Sequence, residues 1–283
     1  MSKLIQLRHR IKAIETIKKI THAMRLISMS THSQLKHQQI SIKKYTNTLE
    51  KMCTDLQILT PQWHNPLIHP VSETPSNTLI ILIGSQKGLC GSFNINLYKL
   101  FNNQMEQRTD NIRATFIAVG QKSSEFLKKQ PLGLIKQSYE KFSAQNIAAI
   151  AQAITNTIVS AQPHYDEVLI FSNSFKSFFN QKPLCTTLIP TAPISNPSTL
   201  TDDYMWQQDP SEILDTIVPQ YLESKIYHLL FESLLSEHAA RFISMDSSTR
   251  NANNLLDAAR LQYNKLRQAK ITKELTELIG SFE

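Results

Sequence analysis

Apolar residues near the start of the chain recur in steps of three and four: Leu4, Leu7, Ile11, Ile14, Ile17, Ile20, Met24 and Ile27. Such steps line one side of an α-helix and predict a coiled-coil seam. The consecutive threes after Ile14 break the strict heptad and locally overwind it. From Ile42 the spacing is regular again, through Tyr45, Leu49, Met52, Leu56 and Leu59, after a polar stretch at 28–34. A second stripe runs through Ile226, Leu229, Leu230, Leu234, Ala239, Phe242, Met245, Ala252, Leu256, Ala259, Tyr263, Leu266 and Ala269. Its helix is expected to begin near Ser211, behind Asp209-Pro210, with Pro219 as a potential kink. Small residues on the second half of this stripe allow close approach. The simplest partner is the first helix, giving an antiparallel hairpin closed through a distant middle domain. The alternative is two amphipathic helices lying flat on a globular core.

Between the stripes the pattern changes. Short apolar runs at 78–83 (TLIILI), 114–119 (ATFIAV) and 167–171 (EVLIF) read as buried strands, with weaker ones at 134–139 and 186–190. Helical patterns fall at 94–107, 121–129 and 143–161, the last with Ile147, Ile150, Ala151, Ile154 and Ile158 on one face. Alternating strands and helices predict an α/β domain with a largely parallel sheet. The expected organisation is an N-terminal coiled-coil helix (1–60), a linker (61–77), a Rossmann-like α/β domain (78–191), a second linker (192–210) and a C-terminal coiled-coil helix (211–283). Both linkers are rich in Pro, Ser, Thr and Asn.

Breakers and charge sharpen this picture. All 12 prolines lie between Pro61 and Pro219, and the 6 glycines are Gly84, Gly88, Gly91, Gly120, Gly133 and Gly280. Residues 1–60 and 220–279 therefore contain neither type, as very long helices require. At 1.5 Å per residue, some 55 residues reach roughly 80 Å, so each helix needs a partner along its length. The net charge is +7, yet residues 1–51 hold eleven lysines and arginines against Glu15 and Glu50 alone. The positive excess thus sits on the first helix. No run of eighteen apolar residues and no signal-peptide core is present, so neither membrane span nor secretion is expected. Three widely spaced cysteines suit a reducing compartment better than a disulfide framework or a structural zinc site.

Candidate chemistry is sparse. The segment GSQKGLCG at 84–91 follows a strand and precedes a helix, where a phosphate loop would sit. Lys87 precedes Gly88, and no lysine stands before Ser92, so the Walker order is absent, as is the dinucleotide glycine spacing. A tight strand-to-helix turn is the plainer reading. Cys90 near a helix start is a candidate thiol nucleophile or a small buried residue. His32/His37 and His64/His69 are five apart, not the four that place two ligands on one helical face. Asp202-Asp203 reads as a solvated pair. No metal or cofactor site is expected. The basic first helix fits nucleic acid, the solvated face of a coiled coil, or a negatively charged protein cavity.

Several segments carry a family resemblance. LRHRIKAIETIKKITHAM at 7–24 resembles the N-terminal signature of the gamma subunit of F-type ATP synthases. SQKGLCG at 85–91 with Phe93-Asn94 is similar to that family's motif after the first strand. SEHAARFISM (236–245), TRNAN (249–253) and YNKLRQAKITKELTELI (263–279) resemble its C-terminal signature. The match spans the whole chain in order. It implies a rotor shaft: an antiparallel coiled coil inside a ring of alternating alpha and beta subunits, with the α/β domain beside the epsilon subunit and the membrane c-ring. It implies one copy per complex, no nucleic acid, no cofactor and no active site of its own. The implied location is peripheral, on the cytoplasmic face of a bacterial inner membrane. Met24, Arg241, Arg267, Gln268 and Thr272 match positions where the shaft meets the head. Tyr204, Trp206 and Gln207 resemble the segment near the rotor ring.

The chain departs from the family pattern at particular residues. Gln86-Lys87 replaces the usual Asp-Arg, Arg25 replaces an acid, Asp246 replaces a basic or neutral residue, and Gln207 replaces an acid near the ring. The run 28–39 is more polar than usual. These departures fit a standard synthase or a divergent ion-pumping F-type ATPase. Two readings from other classes stand beside the shaft: a basic coiled-coil adaptor for nucleic acid, and a small α/β nucleotide-binding protein dependent on Lys87.

Overall fold

The computed structural model describes residues 2–69, 77–108, 113–130, 133–190 and 208–280. Its elements run α1 (Ser2–Leu59), β1 (Asn77–Ile83), α2 (Phe93–Glu106), β2 (Arg113–Val119), α3 (Gln121–Leu127), β3 (Leu134–Tyr139), α4 (Ile147–Val159), β4 (Glu167–Ser177), β5 (Asn180–Ile189) and α5 (Pro210–Gly280). Helix α5 continues unbroken through Pro219. Two compact units result: Thr31–Ala240, and Met1–Ser30 together with Arg241–Glu283. Both long helices contribute to both units.

The larger unit is built on a five-stranded sheet in the order β3-β2-β1-β4-β5. β1 pairs in parallel with β2 and β4, and β2 with β3, while β5 runs antiparallel to β4. The strand alternation feeds two cores. Leu79, Ile81, Ile83, Ile117, Val119, Val168 and Ile170 face α4 and the unit's segments of α1 and α5. Ile80, Leu82, Phe116, Ala118, Leu169 and Phe171 face α2 and α3. Each such side chain contributes about 1.5–3 kcal/mol when fully buried. Phe101 of α2 sits edge-on to Phe116, Phe126 and Phe171, at centroid distances of 6.2, 5.8 and 5.2 Å. The central strands are covered on both faces, which is why they read as continuous apolar runs.

The last strand differs from expectation. β5 begins at Asn180 rather than 186, and β4 extends to Ser177 to pair with it. Phe178-Phe179 turns the hairpin with no glycine or Asn-Gly signal. Gln181 Nε2 instead donates to the carbonyls of Ser177 (3.4 Å) and Phe178 (2.6 Å).

The smaller unit is a two-helix antiparallel coil. Thr21 meets Thr249, Arg25 meets Asp246, and Glu15 meets Arg260. Ile14 packs on Ala252, Leu256 and Ala259, with Ile11 against them.

The expected seam on α1 is corrected here. Leu7 and Ile14 are buried, but Ile17, Ile20 and Ile27 are 52–64 % exposed. Thr21 and Ser28 occupy the buried positions instead, with Lys18 and Arg25 half-buried beside them. The heptad never breaks: it continues from Ile14 through Lys18, Thr21, Arg25 and Ser28. One residue along a helix turns the face by about 100°, so a pattern shifted from 18 to 17 points away from the partner. Polar residues hold the seam because they meet polar partners. Thr249 Oγ1 lies 3.0 Å from Thr21 Oγ1 and donates to the Met245 carbonyl.

The same one-residue shift applies to α1 in the larger unit. Leu49 and Leu56 are buried as expected, but Tyr45, Met52 and Leu59 are exposed while Thr46 and Cys53 are inside. On α5, Met245, Ala252, Leu256 and Ala259 are buried, Tyr263 and Leu266 are half-buried, and Ala269 is exposed.

Candidate functional site

The residues expected to meet a head all belong to the coiled unit. Met24 is half-buried beside the seam, and Arg241 is 5 % exposed. Arg267, Gln268 and Thr272 are exposed on the last turns of α5, where Thr272 Oγ1 donates to the Gln268 carbonyl at 3.1 Å. The fold does not gather the five into one cluster. Arg241 and Arg267 are separated along the helix by about 40 Å at 1.5 Å per residue. Tyr204, Trp206 and Gln207 lie outside the described residues.

The coil has a surface of a particular kind. On α1, Ile17, Ile20, Leu26, Ile27 and Met29 are exposed, and on α5, Leu255, Leu261, Ile271 and Leu275 are exposed. The two segments hold fourteen lysines and arginines against six carboxylate side chains. Large exposed apolar residues thus stand among cations on the outside of this unit. The isoleucines were visible in the sequence pattern, but the regular steps of three and four assigned them to the interior.

Ion pairs tie the two helices together. Arg25 Nη1 is 2.7 Å from Asp246 Oδ1, and Arg250 of the same α5 helix also holds Asp246, with Nη2 2.9 Å from Oδ2. Arg260 Nη2 is 2.6 Å from Glu15 Oε1. Two departures from the family pattern, Arg25 and Asp246, are therefore partners in one bridge. Sequence reading treats them as separate anomalies, because only the antiparallel register brings positions 25 and 246 together.

The loop after β1 is filled by its own side chains. The Ser85 amide donates to Asn94 Oδ1 (3.0 Å), and Asn94 Nδ2 donates to Ser85 Oγ (2.7 Å) and Cys90 Sγ (3.3 Å). Cys90 is 3 % exposed and packs with Phe93 and Ala240. Gly120 has φ 89°, and a Cβ there would run into the Gly84 carbonyl, so the loops after β1 and β2 meet backbone to backbone. This is a tight strand-to-helix turn with a small buried thiol. Among the described residues, no group of three or more metal-ligating side chains converges.

Residues 3–283 match the ATP synthase family (ATP-synt). The ATP synthase gamma chain of Chlorobaculum tepidum is 30% identical over 99% of this chain and 98% of its own length. The chain belongs to the ATP synthase gamma chain family. The gamma chain of Geotalea daltonii is likewise 30% identical, over 100% of this chain and 99% of the relative. Among solved structures, the rotor of the Euglena gracilis mitochondrial ATP synthase shares the fold, with a TM-score of 0.66 at 15% identity over 95% of this chain and 99% of that one. The central stalk and c-ring structure from Tetrahymena thermophila gives 0.58 at 21% identity, over 81% and 98%.

Proposed function

We propose that the chain works as the central rotor shaft of an F-type ATP synthase, transmitting rotation between an ion-driven membrane ring and the alpha/beta head. The observation that carries this reading is the coil itself, within a family match that runs from residue 3 to 283. A shaft must resist sliding of one helix on the other, and the Arg25–Asp246 and Glu15–Arg260 bridges oppose that motion. It must also present an asymmetric outer surface. Ile17, Ile20 and Ile27 are exposed on α1, while α5 brings Leu255, Leu261, Ile271 and Leu275. A ligand that contacts one conformer of a catalytic site better than another shifts that site's equilibrium by the difference. Turning such a surface inside a ring therefore takes each site through successive nucleotide affinities.

In this reading Met24, Arg241, Arg267, Gln268 and Thr272 meet the alpha and beta subunits. Tyr204, Trp206 and Gln207 face the rotor ring, and the epsilon subunit lies beside the α/β domain. One copy serves each complex. The chain contributes no catalytic group and no cofactor, and it sits peripherally at the inner face of a bacterial membrane. No described helix is long and apolar enough to cross a membrane. Deleting residues 260–283 tests the reading. The expected result is weakened coupling between ATP hydrolysis and ion pumping, or weakened assembly. Coupling at the level of the full chain would overturn the assigned contacts of Arg267, Gln268 and Thr272.

A further inference from the structure

A groove of about 440 Å³ opens between α1 and α5 within the larger unit, well apart in sequence from the head-contact residues. Ile42 and Ser224 line it together with Tyr45, Tyr227, Gln220 and Glu223. Ser224 is 9 % exposed and its hydroxyl is 2.8 Å from that of Thr46, so its polar need is met below the groove. Tyr227 is half-buried and packs against the core, with Phe231 stacked at 6.4 Å, whereas Tyr45 is 58 % exposed. The groove thus offers two phenol rings, an aliphatic surface and one carboxylate.

That carboxylate differs from its neighbours. Glu50 is 3.3 Å from Lys225 Nζ, Glu232 takes Ser174 Oγ (3.2 Å) and lies 3.6 Å from His228, and Asp215 accepts from Trp63 and Asn65, both at 3.1 Å. Glu223 has no hydrogen-bond or ion-pair partner among the described residues. The nearby cations are engaged or turned outward. Lys225 is held by Glu50 and by Tyr221 Oη (2.7 Å), and Lys43 and Lys44 are both exposed.

We propose that this groove is a docking subsite for an arginine side chain of a neighbouring subunit, stacked against Tyr45 and Tyr227 and forked onto Glu223. A planar guanidinium satisfies all three features at once: it stacks on aromatic faces, bonds a carboxylate in a bidentate way, and carries an apolar stem. A lysine meets the charge but neither the stacking nor the fork. The subsite goes beyond the head and ring contacts, and it rests on the shaft reading only in requiring that other subunits surround the chain.

The experiment uses the complex purified from native membranes, with benzoylphenylalanine in place of Tyr45. Photolysis is expected to join this position to a peptide that holds an arginine within a few residues. In the complex carrying Glu223→Gln, that arginine is expected to react with phenylglyoxal about tenfold faster, as the loss of one charge-assisted bond implies. Glu223→Asp should keep the protection. An intact complex with no adduct, an adduct without a nearby arginine, or unchanged phenylglyoxal reactivity overturns the subsite while leaving the shaft reading in place. A chain that copurifies with no other subunit overturns both. Arginine amide or spermidine quenching the tyrosine fluorescence of the isolated chain at micromolar concentration would assign the groove to a soluble cation and overturn a protein occupant.

Discussion

The two units of this chain use apolar residues in opposite ways. In the larger unit Leu79, Ile81, Ile83, Ile170 and Phe171 have no exposed surface, and the sheet is covered on both faces. In the coil, the buried seam passes through Thr21, Ser28, Thr249, Ala252 and Ala259, while Ile17, Ile20, Leu26 and Ile27 lie outside. The larger unit draws its stability from its own core. The coil leaves Ile17, Ile20, Leu26 and Ile27 outside, and sets polar pairs beside Ile14, Met245 and Leu256 in its seam. A part that must turn within a bearing has reason to be built this way.

The largest effect that separates the two regions is expected at Phe101. Phe101→Ala removes a ring held edge-on by three others and should cost about 3–5 kcal/mol in urea unfolding of the larger unit. No comparable loss should follow from any single truncation on the outer face of the coil. A loss under 1 kcal/mol at Phe101 would mean that the sandwich relaxes around the cavity and is not the rigid part.

The next effect lies in the seam. Arg25 and Asp246 are about a quarter exposed, and a double-mutant cycle with Arg25→Ala and Asp246→Ala should give a coupling of about 1 kcal/mol. The swapped pair Arg25→Asp with Asp246→Arg should recover most of the stability that either single reversal loses. Failure of the swap would show that Arg250, which also holds Asp246, decides the geometry.

A pH effect distinguishes the units in another manner. His32 is 4 % exposed, lies against Phe175 and Phe178 at 5.3 and 5.0 Å, and has Nδ1 3.2 Å from the Leu235 carbonyl. Burial, assisted by Lys36, holds its pKa below the ordinary 6.5, while the bond to Leu235 opposes that shift. The unfolded chain then takes up the proton first. The stability from neutral His32 is complete above pH 6.5 and declines as the pH falls through that value toward the lower folded one. His32→Gln should flatten this part of the pH–stability curve for the larger unit and leave the coil's curve unchanged. An identical slope in the variant would remove His32 from the account.

Much of this contrast was readable before the structure, and the failures have physical causes. Missing Gly and Pro revealed the long helices, because those two residues carry the largest helix penalties. Alternating apolar runs revealed the sandwich, since strands buried on both faces leave little choice of residue. The helical phase between Ile14 and Leu35 was misread because periodicity rewards apolar residues wherever they lie. Here the interior is polar and the exterior apolar, so the strongest signal pointed the wrong way. The extension of β4 and β5 was hidden by a Phe178-Phe179 turn without the usual turn residues. The head-contact residues came from resemblance, and the Arg25–Asp246 bridge needed the register of two helices that brings residues 221 positions apart together.

The smallest effect on stability is the most telling about the surface. Ile20→Ser and Ile27→Ser change side chains already more than half exposed, and each should alter unfolding of the isolated chain by no more than about 0.5 kcal/mol. The same changes should weaken assembly with the head. Loss of stability in the isolated chain would place these isoleucines in the seam and contradict their exposure.

The central claim is that the chain is a shaft held inside a ring of other subunits. Gentle detergent extraction of the tagged chain from its native membranes, followed by native mass spectrometry, tests it most directly. The expected result is one copy of this chain with three copies each of two larger nucleotide-binding chains. Recovery of the chain alone, or bound to nucleic acid, would contradict it.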